Sequence, residues 1–117
     1  MFPQLPAAVR VFLCTRPTDL RKGFDGLTGL VQECFGQDPL TGHLFLFLNR
    51  RRDRIKILYF DRDGLAIWYK RLESGSFQFP DKVAQDGVEL QPAQLAMLLS
   101  GIDLRSARQR KRFQRAG

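Results

Sequence analysis

Three strand-length apolar segments lie within thirty residues, at 44–49 (LFLFLN), 55–61 (IKILYFD) and 65–72 (LAIWYKRL). The first is continuously apolar, which predicts a central strand covered on both faces. The other two are rich in β-branched and aromatic residues and read as a hairpin partner pair. Asp63-Gly64 between them is a two-residue hairpin signal, because both central turn positions favour positive φ. Centred there, the turn pairs Phe60 with Ile67, Leu58 with Tyr69 and Lys56 with Arg71. The opposite face then carries Ile57, Tyr59, Trp68 and Lys70.

Upstream, Val9, Val11 and Leu13 alternate with Arg10 and Phe12, so residues 8–14 read as a short strand. Leu20, Phe24, Leu27, Val31 and Cys34 fall in steps of four and three. That spacing predicts one helix, capped by Thr18 or Asp19 and ended by Gly36. Gly23, Gly26 and Gly29 inside it suggest close packing on a sheet, a non-helical first turn, or close approach by a partner or a phosphate. Residues 77–80 read as extended and 88–90 as a short strand. Pro92 suits the first turn of a second helix, whose apolar stripe is Leu95, Leu98, Leu99 and Ile102.

The expected architecture is α+β. An antiparallel sheet of four to five strands carries one long helix on a face, and a C-terminal helix closes an edge or an end. The 117 residues suffice for one domain, placed at 1–103, followed by a basic tail at 104–117 that is expected to be mobile when alone. No apolar run approaches about 18 residues, so no transmembrane helix or membrane partner is expected. The first fourteen residues contain prolines and Arg10 and do not make a signal peptide. Cys14 and Cys34 are too few for a disulfide framework and lack zinc-ligand spacing, so a reduced, cytoplasmic protein is expected.

Charge separates the two regions. Residues 1–103 hold thirteen basic and twelve acidic groups, a net of +1; residues 104–117 hold six basic groups and no acidic one. A cationic segment without local carboxylates points to a polyanionic partner, and DNA bound without sequence preference is the expected one. The candidate nucleic-acid contacts in that tail are Arg105, Arg108, Arg110, Lys111, Arg112 and Arg115. A second set, Arg50, Arg51, Arg52, Arg54 and Lys56, spans the connection between two predicted strands, with Lys70 and Arg71 leaving the next strand near the same end. Guanidinium groups there can hold phosphates bidentately, or can pair with Asp53 and Glu73 on a solvated turn. Tyr59, Trp68 and Tyr69 can stack on bases or pack in the core.

Support for an enzyme is thin. His43 is the sole histidine and falls in a loop. No nucleophile motif and no phosphate-cradling glycine loop is present. Asp61 and Asp63 form a D-x-D, but aspartate also suits a hairpin turn for backbone reasons. No catalytic residue, metal or cofactor is therefore assigned.

The runs Asp19-Leu20-Arg21-Lys22-Gly23-Phe24-Asp25-Gly26-Leu27, Gly42-His43-Leu44-Phe45 and Asn49-Arg50-Arg51-Arg52 resemble a bacterial family. So do Lys56-Ile57-Leu58 with Asp61, Lys70-Arg71-Leu72-Glu73, Gly75 with Phe77 and Pro80, and Leu98-Leu99 with Gly101-Ile102-Asp103. This series, over residues 8–104, is similar to the TnpB accessory proteins of insertion sequences of the sixty-six family. It does not resemble the RNA-guided nucleases that share the TnpB name. The resemblance implies a non-enzymatic accessory protein for DNA transposition and recombination of a mobile element, with a DDE-type transposase as partner. The alternative is a pure protein–protein adaptor for that transposase, without nucleic-acid contact.

Overall fold

The computed structural model describes residues 8–79 and 85–100. Five strands and two helices follow in the order β1 (Val11–Cys14), α1 (Phe24–Phe35), β2 (Leu44–Leu48), β3 (Arg54–Asp61), β4 (Gly64–Arg71), β5 (Gly87–Leu90) and α2 (Pro92–Ser100). They form one sheet in the order β4-β3-β2-β1-β5. The α+β expectation holds, with one refinement: the sheet is mixed, because β1 and β2 are parallel while the other three neighbouring pairs are antiparallel. The crossover through α1 explains it, since a helix between two adjacent strands returns the chain to the end where it started.

Both sheet faces are covered. Phe12, Cys14, Phe45, Phe47 and Leu58 pack under Leu27 and Val31 of α1. Val11, Leu13, Leu44, Leu46, Leu48, Ile55 and Ile57 face the other way, against Phe77, Phe79 and the α2 residues Leu95 and Leu98. Every residue of β2 is buried, which is why its sequence is apolar without alternation.

α1 starts later than its periodicity predicts. Asp19 caps a tight turn instead of the helix. Its Oδ1 accepts from the Arg21 backbone N–H at 3.0 Å, and the Lys22 N–H donates to the Asp19 carbonyl at 3.2 Å. Gly23 occupies the N-cap position, and Phe24 at the helix start stays exposed. Gly36 ends α1 in the left-handed region, with φ 59°. Close packing on the sheet does not explain Gly23 or Gly29, where a Cβ would meet nothing within 4 Å, and at Gly26 a Cβ would meet the Lys22 side chain at 3.0 Å.

The close approach lies at Gly87, where the edge strand β5 passes under the end of α1. A Cβ there would sit 2.6 Å from Phe35 Cδ1 and 2.7 Å from the Cys34 carbonyl oxygen. Because one of those atoms is backbone, a rotamer change cannot relieve the clash. Gly87→Ala is expected to destabilise the chain by about 1–3 kcal/mol, as overpacking does. The measurement is a urea midpoint that falls while the slope of unfolding stays constant.

The β3–β4 pairing differs from the predicted register by two residues. Leu58 pairs with Ile67, Phe60 with Leu65, Lys56 with Tyr69 and Arg54 with Arg71. Asp61 and Gly64 are the closing pair, so the turn centres on Arg62 and Asp63, and Arg62 takes the positive φ of 57°. An even slip leaves every side chain on its predicted face.

Candidate nucleic-acid interface

The cationic cluster is built by the β2–β3 connection. Asn49 organises it with both ends of its amide: Nδ2 donates to Asp53 Oδ1 at 2.6 Å, and Oδ1 accepts from the Arg54 N–H at 3.0 Å. The Arg52 N–H donates to the Asn49 carbonyl at 3.1 Å, and Arg52 adopts a left-handed φ of 58°. The chain after β4 braces the turn from below, with Leu72 N–H donating to the Asp53 carbonyl and Phe77 N–H to the Arg52 carbonyl, each at 2.7 Å. Asp53 is thereby committed to the turn itself. Arg50 and Arg51 project into solvent.

The other predicted contacts divide between the two faces. Arg54, Lys56 and Arg71 lie on the α1 face, beyond the start of the helix, and Lys70 lies on the opposite face beside Ile55. Lys56 Nζ donates to the Lys22 carbonyl at 2.9 Å and sits 5.0 Å from the centre of the Tyr69 ring. Arg54 Nη1 donates to the Tyr69 hydroxyl at 3.2 Å. Arg71 is neutralised locally by Glu73 at 2.7 Å. The Arg52 guanidinium packs 4.0 Å from the centre of the Phe79 ring. Among the described residues no carboxylate forms an ion pair with Arg50, Arg51, Arg54, Lys56 or Lys70, whereas Arg10, Arg21 and Arg71 each have one and Arg16 has two.

Arg51, Arg54, Lys56 and Tyr69 line an open cleft of about 530 Å³, whose far wall is the Asp19–Arg21 turn. Arg21 is held there by Asp19 at 2.8 Å, and that guanidinium lowers the Asp19 carboxyl to about 2. Tyr69 remains 49% exposed in the cleft. Tyr59 and Trp68 instead pack against the core on the other face. The sequence did not point to Arg21 as a wall of the site, because residues 19–23 carry a helical spacing. Asn49 was the available signal: asparagine closing an apolar strand favours a side-chain-locked turn.

The register also places Arg54 directly across from Arg71. Like charges in a cross-strand pair cost stability. Glu73 already screens Arg71 and Arg54 gives up its bond to Tyr69, so Arg54→Thr is expected to raise stability by only about 0.2 kcal/mol. Thermal unfolding at low salt is the check.

His43 Nδ1 accepts from the Arg10 backbone N–H at 3.0 Å, and its ring edge packs on Phe12. Asp61 ends β3 and Asp63 lies within the β3–β4 turn, and among the described residues no group of three metal-ligating side chains gathers. No helix of the described residues is long and apolar enough to cross a membrane. The tail contacts Arg105, Arg108, Arg110, Lys111, Arg112 and Arg115 lie outside the described residues.

The chain is 43% identical over 98 residues to the uncharacterized protein y4hO of Sinorhizobium fredii, covering 83% of this chain and 84% of that one. It is 36% identical over 95 residues to the uncharacterized protein y4jC of the same organism, covering 81% and 80% respectively. No solved structure matches. A family model described as IS66 Orf2 like protein matches residues 9–109, which takes in both helices, all five strands and the cationic turn. The chain therefore belongs to the IS66 Orf2-like family, a family tied to insertion-sequence transposition.

Proposed function

We propose that this chain is a non-enzymatic accessory protein of transposition that binds DNA through its phosphate backbone. One observation carries the reading: Arg50, Arg51, Arg54 and Lys56 gather on the β2–β3 turn and the α1 face at one end of the sheet, Lys70 lies at the same end on the opposite face, and no described carboxylate forms an ion pair with any of the five. A folded turn that holds like charges together and leaves them uncompensated stores unfavourable electrostatic energy, and a polyanion relieves it. Arg50 and Arg51 on the turn and Arg54 in the cleft give fork-shaped donors suited to phosphate oxygens. These contacts fix position on a duplex without reading its bases. The six tail cations add a second, sequence-independent contribution.

The test is duplex binding by the triple variant Arg50→Glu, Arg51→Glu, Arg54→Glu at several salt concentrations. Three lost phosphate contacts should flatten the plot of log K against log salt by about three. Wild-type affinity and slope in that variant would remove the turn from the mechanism.

A protein contact accompanies this reading. Phe24 is 48% exposed at the start of α1, away from the core. It offers an apolar anchor for the transposase of the same element. A complex with that transposase that survives nuclease digestion in the wild type and is lost in Phe24→Ser would support the contact. A complex abolished by nuclease alone would mean DNA is the only bridge.

A further inference from the structure

The structure assigns Cys14 and Cys34 as a covalent modification site, a thiol pair that a peroxide converts reversibly into an intramolecular disulfide. Cys14 is the last residue of β1 and Cys34 lies in the last turn of α1. Both are free, and their sulfurs are 3.3 Å apart. A disulfide bond is about 2.05 Å long, so roughly 1.2 Å of approach closes it.

Two features make this more than a chance contact in a core. Arg16 Nη2 donates to Cys34 Sγ at 2.9 Å. Its guanidinium is held over the sulfur by Glu33 at 3.3 Å and Asp86 at 3.8 Å. A fixed cation meets the negative charge that sulfur carries when it attacks. In addition, an open cavity of about 220 Å³ lies beside the pair, lined by Cys14, by Glu33 next to Cys34 and by the Arg16 that bonds the Cys34 sulfur. It is wide enough for a peroxide.

The two thiols differ in role. Cys34 is half-buried beside Arg16 and meets the oxidant first. Its sulfur attacks one peroxide oxygen. The S–O bond forms, the O–O bond breaks, and the departing hydroxide takes the thiol proton and leaves as water. Cys14 is 1% exposed, its thiol donates to the Arg16 carbonyl at 3.6 Å, and its sulfur lies against Cys34 Sγ. Burial, reinforced by Cys34, pushes the Cys14 thiol up to about 11, so it enters protonated and second. Its sulfur attacks the Cys34 sulfenic acid. The S–S bond forms, the S–O bond breaks, and hydroxide leaves with the Cys14 proton as a second water. Two thiols lose two electrons, and one peroxide becomes two waters.

The full-length chain is treated with one equivalent of hydrogen peroxide, then unfolded and its free thiols counted. The expected result is a fall from two thiols to none, a mass loss of two hydrogens, migration as a single chain on a non-reducing gel, and recovery of both thiols with dithiothreitol. Cys34→Ser, at a half-exposed position, should keep its one thiol under the same dose. Arg16 acts as a positioning residue. Arg16→Gln should slow disulfide formation about tenfold, the size of a lost charge-assisted hydrogen bond, and Arg16→Lys should recover part of the rate. Two thiols persisting after peroxide, a sulfinic acid, a dimer linked through Cys34, or an unchanged rate in Arg16→Gln would each overturn the assignment.

Discussion

Replacing the six tail cations Arg105, Arg108, Arg110, Lys111, Arg112 and Arg115 with glutamine is expected to remove most of the salt dependence of duplex binding. Six phosphate contacts, at about 0.9 each, give a slope of about −5 in log K against log salt. Between 50 and 200 mM salt such a slope amounts to roughly a thousandfold loss of affinity, and the neutralised chain should be spared it. The effect exceeds that of the turn because the tail holds no acidic residue, while residues 1–103 nearly balance. Glutamine keeps the length and the hydrogen-bonding capacity, so the comparison isolates charge. Binding at several salt concentrations, on duplexes of two unrelated sequences, checks both halves of the expectation. The loss should be equal on both sequences, since phosphate contacts carry no base information. An unchanged slope would mean that the tail never meets the phosphates, and the turn cations would stand alone.

What the amino-acid pattern revealed about the fold follows from its two periods. The continuous LFLFL of β2 reported burial on both faces, and the period of three to four through Leu27, Val31 and Cys34 reported the core side of α1. Gly36 and Pro92 marked helix ends for conformational reasons intrinsic to those residues. Pairing partners are less visible, because they depend on contacts distant in sequence. The parallel union of β1 with β2 had a signal in the intervening helix, but short strands are compatible with either direction. The hairpin register was displaced because Arg62, rather than the neighbouring Gly64, accepted the left-handed conformation.

The candidate site was legible as a composition and not as a geometry. A run of arginines announces charge, and strand alternation set Lys70 on the face opposite Lys56 and Arg71, but it left open whether Arg71 pairs with Glu73 and gave no sign that Arg52 lies on Phe79. Tyr69 and Trp68 are adjacent aromatic residues in one strand, and only the side of the sheet decides that one is exposed in the cleft and the other packs against the core. The approach of Cys14 to Cys34 had no sequence signal, since a spacing of twenty residues across a crossover fixes no distance.

That packing is where a single substitution should cost most in stability. Phe45→Ala is expected to destabilise the chain by about 3–5 kcal/mol. Phe45 is fully buried in β2, the middle strand of the sheet, with its ring stacked on Phe12 at 5.6 Å and tilted against Phe35 at 5.5 Å. Truncation therefore removes the buried ring and both aromatic contacts, each worth about 0.5–1.5 kcal/mol beyond its area. The resulting cavity resists collapse because its walls belong to separate elements: β1 through Phe12 and α1 through Phe35. A domain of this size has about 5–15 kcal/mol in hand, so the variant should melt on the order of 15 °C or more below the wild type. The same change at Phe24, 48% exposed, should stay within about 0.5 kcal/mol. Two identical chemical deletions thus differ only in burial. Comparable melting temperatures for the two variants would mean that the Phe12–Phe35–Phe45 cluster does not hold α1 to the sheet.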